Sequence, residues 1–223
     1  MLFNFNPTQF LIELLYLVPV ILISLTVHEF SHAYVATRLG DPTPKNTGRL
    51  SLNPLRHIDP FGFIMLILVR FGWAKPVQVS PMYFENPKKG MMLTAIAGPI
   101  SNFILAFISS FLAVLTNFIY IKTGAFYDVM LVIFTFFQVL AMINIGLAIF
   151  NLIPVYPLDG SRILNYFLPN AVNNFFNKYG VYIQIAFILL VIFTNFIGNF
   201  IYMVETSVFD LFTSLWYFVF GIS

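Results

Sequence analysis

The chain has 223 residues, of which 59% are hydrophobic and only 9% charged, where an average soluble domain is about a quarter charged. That balance excludes an ordinary soluble enzyme and points to an α-helical integral membrane protein. A net charge of +2 is too small to argue for nucleic acid, and the absence of Cys excludes disulfides and thiolate metal sites. Only His, Asp and Glu remain as metal ligands.

The first apolar stretch, from about Phe10 to Leu39, is long enough at about 1.5 Å per residue to cross a hydrocarbon core of about 30 Å. No basic region or small-residue cleavage site precedes it, so it reads as a retained membrane segment and not a removed signal peptide. Pro19 is placed to kink it. Near its end stands His28-Glu29-Phe30-Ser31-His32. Helical residues four apart lie about 40° from each other in projection and roughly 6 Å apart along the axis, so both imidazoles can face one ion. Glu29 then sits beside that ion, placed to take a proton from water, as in zinc proteases. Leu14 to Val27 carries no charge, unlike a soluble surface helix, and ionisable groups at membrane depth mark functional sites.

From Arg38 to Lys89 the chain holds eight of its 11 basic residues, which assigns this region to the cytoplasmic side. Within it, Phe61 to Trp73 is apolar but short, interrupted by Arg70 and flanked by Gly62 and Gly72, as expected of a re-entrant or interfacial piece. Thr47 to Asn53 and Lys75 to Ser80 read as short strands bounded by Gly, Pro and Asn. Their free edge would accept an extended peptide.

Met91 to Ile121 is uncharged, and Gly98-Pro99 predicts a division into an entry segment and a main helix. Val129 to Leu158 is also uncharged, and Pro154, Pro157 and Gly160 predict that the helix breaks before Asp159. Tyr179 to Val204 reads as a further span and Ser207 to Ile222 as a marginal last one. The fold expected is about 5–6 transmembrane segments with a short β or re-entrant insertion between the first and second full spans. Residues 1–223 form one membrane-embedded domain, with a motif-bearing core at about 10–168 and additional C-terminal helices at about 179–222. Alternating the spans puts the N-terminus outside and ten of the 11 basic residues on one face. His28, His32 and Asp159 then fall at a similar depth, toward the cytoplasmic face.

A hydrolytic zinc site commonly takes three protein ligands and leaves a fourth position for water. Asp159 matches the His pair in depth, and His57 is the rival third ligand. Asn102 and Asn151 read either as site residues or as interhelical hydrogen-bonding groups. Two other functions use the same residues: a membrane metal-ion transporter, and a scaffold keeping a structural zinc with His57 as fourth ligand.

HEFSH, GRLSLNPLRHIDPFG, GWAKPV, AGPISN and NLIPVYPLDGSRIL, in this order from about residue 24 to 165, resemble the site-2 protease family of intramembrane zinc metalloproteases. The resemblance is to its compact prokaryotic branch, which lacks PDZ and CBS domains. It implies one Zn2+ per chain held by His28, His32 and Asp159, Glu29 as general base and later acid, and Asn151 as a residue that helps hold the substrate backbone. His57 and Asn102 are read as further candidates for substrate or transition-state contact. It also implies single-pass membrane proteins as substrates, an upstream site-1-type protease as partner, and residence in a prokaryotic cytoplasmic membrane.

Overall fold

A computed structural model describes residues 7–69 and 72–221. Helix α1 (Pro7–Arg38) runs through Pro19 without interruption, because neighbouring helices and local adjustment re-satisfy the backbone groups that Pro frees. After it come a short turn of helix, α2 (Thr43–Asn46), and a single 3-10 turn at Pro54–Arg56. Helix α3 (Pro60–Val69) is ten residues long, about 15 Å, or roughly half a hydrocarbon core. The chain then returns on itself. Ile58 and Ala74 form an antiparallel bridge, and the Lys75 N–H donates to the His57 carbonyl at 2.8 Å. Gly62 is required there, since a Cβ would collide with the Trp73 backbone and indole. The Ile58–Ala74 bridge therefore holds the two ends of the 61–73 segment side by side, while Arg70 lies outside the described residues.

Neither expected strand forms. Among the described residues the Ile58–Ala74 bridge is the only β pairing. Pro76 has no N–H, and two other N–H groups of 75–80 go to carboxylates instead of a neighbouring strand: Val77 to Glu29 at 3.0 Å and Ser80 to Asp41 at 2.7 Å. The 47–53 segment is pinned by buried Arg49, whose guanidinium donates to the carbonyls of Arg56 and Lys75. The insertion is a strap tied down by buried charge.

A further 3-10 turn at Pro81–Tyr83 leads to α4 (Pro87–Thr123). Asn86 caps α4 by accepting from the Lys89 N–H at 3.0 Å, Pro87 fills its first turn, and Gly124 closes it at φ 63°. The expected division at Gly98-Pro99 does not occur. Both residues are buried inside a continuous helix, where tight packing on α1 outweighs the one backbone bond that Pro removes.

Helix α5 (Tyr127–Asn151) ends where predicted, before an irregular stretch containing the two prolines, and α6 (Asp159–Phe167) starts on Asp159 itself. The C-terminal pair differs from expectation in its boundaries. Helix α7 (Asn170–Phe193) ends at an extended Thr194, and α8 (Phe196–Phe220) begins two residues later. The apolar run 179–204 thus straddles a turn, which Thr194 stabilises by accepting from the Phe196 N–H at 3.4 Å. Ile222, the expected end of the last span, lies outside the described residues.

Among the described residues, three helices, α1, α4 and α5, are long and apolar enough to cross a membrane, and a fourth counts if the two parts of α7, bent by 55°, are one span. Helix α4 packs against α1, α5, α6 and α8. The contacts are made by small residues such as Ala33, Ala36, Ala95, Ala106, Ala113, Ala141 and Ala148, all buried, as close helix packing in lipid requires. Ser24, Asn102, Ser109, Ser110 and Asn144 are buried with them, while Leu11, Leu15, Ile100, Ile104, Val129 and Val132 point outward. Polar groups inside and large apolar ones outside mark an integral membrane protein.

Candidate metal centre

One helical turn separates His28 from His32, and their Nε2 atoms stand 3.0 Å apart on the buried face of α1. Asp159, the first residue of α6, brings Oδ2 to 3.2 Å from each. Gly160 makes this approach possible, since a Cβ there would strike the carbonyls of Leu152 and Ile153. Gly98 does the same from α4: its Cβ would lie 2.5 Å from both imidazoles.

The hydrogen bonds around the rings decide where their protons are. His32 Nδ1 lies 2.7 Å from the Thr94 carbonyl, which can only accept, so Nδ1 carries the proton and the Nε2 lone pair faces inward. His28 Nδ1 donates to Asn102 Oδ1 at 2.5 Å. The Asn102 amide is oriented by donating to Asn144 Oδ1 at 2.6 Å, Asn144 donates to Ser24 Oγ at 2.8 Å, and Ser24 donates to the Val20 carbonyl at 2.7 Å. A relay through three helices therefore ends on one ring nitrogen.

Two nitrogen lone pairs and a carboxylate oxygen converge here, and Asp159 Oδ2 is buried with no conventional hydrogen-bond partner. Three acceptors at this spacing repel one another unless a cation lies between them. Tetrahedral coordination at about 2.0–2.1 Å places ligand atoms about 3.3 Å apart, close to the 3.0 and 3.2 Å observed. The residues fit a zinc ion.

Glu29 is buried beside His28, its Oε2 accepting from the Val77 N–H at 3.0 Å. His57 is not part of the metal-binding group. It is buried under the strap, with Nε2 against the Ser51 carbonyl at 2.7 Å, so a scaffold with His57 as fourth ligand has no support in this arrangement. Asn102 contacts a proposed ligand, not open space. Asn151 donates to the Leu147 carbonyl at 2.9 Å within its own helix. Asn144, Ser24, Asp41 and Arg49 were not singled out from the sequence. For Asn144 the available signal was an amide in the middle of an uncharged span.

Residues 16–133 and 118–191 match the family model described as Peptidase family M50. The chain belongs to peptidase family M50. Among its relatives, YwhC of Bacillus subtilis, provisionally named a zinc metalloprotease, is 41% identical over 191 residues, 83% of each chain. Rip2 of Mycolicibacterium smegmatis, with the same provisional name, is 31% identical over 62% of this chain and 52% of its own. Zinc metalloprotease MJ0392 of Methanocaldococcus jannaschii is 27% identical over 64% of this chain and 31% of its own. No solved structure matches the chain. Family membership bears out the site-2 protease resemblance and makes this M50 peptidase a zinc metalloendopeptidase, with Zn2+ as its cofactor.

Proposed function

We propose that this M50 peptidase cuts peptide bonds within or near the transmembrane segment of single-pass membrane proteins, in regulated intramembrane proteolysis or in clearing signal-peptide remnants. One observation carries the reading: His28, His32 and Asp159 converge beside Glu29 within an apolar helix bundle. His28, His32 and Asp159 hold the ion and Glu29 is the general base. Zinc held by these residues would supply a Lewis acid for the scissile carbonyl and would acidify the attacking water. Glu29 takes the proton of the attacking water and returns it to the leaving amine. Its Oε2 is anchored by the Val77 N–H, so the proton travels on the other oxygen.

A transmembrane substrate keeps its carbonyls in internal hydrogen bonds and must unwind before attack. The strap at 75–80, extended and lying on Glu29, suits a substrate held in extended form. Asn151, where α5 ends, helps hold its backbone. The chain works as one domain over 1–223, with a core near 10–168 to which α7 and α8 are added. Five or six segments, α3 entering the membrane without crossing it, would place the site toward the cytoplasmic face of a prokaryotic membrane. A site-1-type protease would trim substrates first.

The deciding experiment incubates purified, zinc-loaded protein with a panel of single-pass helices and compares wild type with Glu29→Gln. Cleavage by wild type, lost by at least about 10²-fold in the variant with zinc content unchanged, is expected of a general base. Equal cleavage by the two proteins would overturn the assignment.

A further inference from the structure

Two cations, Lys88 and Arg162, come together where the start of α4, α6 and the start of α7 meet. An open cavity of about 400 Å³ is lined there by Lys88, Arg162, Asn165, Tyr166, Asn170 and Asn173, among others. Its volume lies within the roughly 300–1,000 Å³ of small-molecule sites. No acidic residue lines it, and neither Lys88 nor Arg162 pairs with a carboxylate among the described residues. Lys88 instead reaches across to Asn170 Oδ1 at 2.6 Å, joining α4 to α7 at the rim.

The position of the cavity narrows the ligand. Thr94, which accepts from His32, lies six residues beyond Lys88, about 9 Å along α4. The cavity thus opens near the end of the bundle, beyond the metal centre. Tyr166 lines it and is exposed, as are Phe167 and Phe175, which follow the lining residues Tyr166 and Asn174 in sequence, in the manner of an aromatic belt at headgroup depth. Unpaired cations, amide groups and interfacial aromatics together suit a phosphodiester whose tails lie in the bilayer.

We infer that this cavity binds the phosphate of an anionic phospholipid headgroup, and that the lipid braces α6, the helix that begins with Asp159. The inference rests on membrane embedding and not on the proteolytic reading. Arg162 stands three residues after Asp159, on the same nine-residue helix, so a lipid held by Arg162 and Lys88 ties that helix to α4.

The test measures, by native mass spectrometry of the full chain released from detergent, retention of dioleoyl phosphatidylglycerol against dioleoyl phosphatidylcholine. Wild type is expected to prefer phosphatidylglycerol. Lys88→Gln and Arg162→Gln should each weaken that preference about fivefold and the double variant should abolish it, as about 1 kcal/mol per interfacial cation implies. Arg162→Lys, which keeps the charge, should retain most of the preference, and Lys45→Gln on α2, outside the cavity, should change nothing. Equal retention of the two lipids by wild type, or an undiminished preference in the double variant, would overturn the inference. So would displacement of the lipid by millimolar inorganic phosphate, which would make free phosphate the ligand, or by a soluble acidic peptide, which would make it a protein partner. Retention is read without substrate, so failure here and failure of the protease reading are separate results.

Discussion

His28 and His32 are equivalent in sequence but differently supported. The His32 ring is held by a main-chain carbonyl, whereas His28 depends on Asn102, which depends on Asn144, which depends on Ser24. Outer hydrogen bonds of this kind fix tautomer and ring orientation, and their loss typically costs 10–100-fold in metal affinity. Asn144→Leu should therefore weaken zinc binding by about tenfold while the helices remain formed. Competition with a chromophoric chelator measures the affinity, and cobalt substitution reports the changed geometry through its visible spectrum. An Asn144→Leu protein that binds zinc as wild type does would show the relay to be ordinary helix packing.

Among the elements, the strap between α3 and α4 shows how an irregular segment can be as fixed as a strand. Asp41, with no exposed surface, accepts from Thr43 at 2.9 Å and from Ser80 at 2.7 Å, and Arg49 fastens the other end. Val77 lies between these ties, on Glu29. Asp41→Ala removes hydrogen bonds to a buried charge, at about 1.5–3 kcal/mol each, and frees the strap at one end. The expected result is a lower melting temperature, faster limited proteolysis between 72 and 86, and reduced cleavage with zinc still bound. Unchanged cleavage would show that the strap does not serve Glu29. An analogous choice was made at 194–195, where one turn divides an apolar run into two helices. Hydropathy measures how apolar a stretch is, and a two-residue turn inside it leaves that measure unaltered.

At the scale of the molecule, the proposed metal centre joins α1 to α6 around α4, so zinc held there would bind the folded chain, with no comparable site in the unfolded one. Removing the ion leaves three acceptors facing one another in a buried space. Treatment with a strong chelator should lower the thermal midpoint and abolish cleavage, and added zinc should restore both. With zinc at 100 times its dissociation constant the stabilisation is about 2.7 kcal/mol. A melting temperature indifferent to zinc would place the ion outside the folded core.

The membrane class, the paired histidines with Glu29 between them, and the helix break before Asp159 were legible in the sequence. Each is a local property, set by composition, by a spacing of four residues, or by prolines and a glycine near the position concerned. The tertiary structure alone decided which distant groups would meet. Ser24 and Asn144 are 120 positions apart and Glu29 and Val77 are 48 apart, and nothing local to either partner specifies the other. Bounding Gly, Pro and Asn residues suggested a short strand along 75–80, but whether an extended segment becomes one depends on what accepts its N–H groups. Here buried carboxylates on α1 and in the loop after it take two of them. Hydrogen-bond partners are chosen by packing, because a buried donor must bond to whatever acceptor the fold brings within reach.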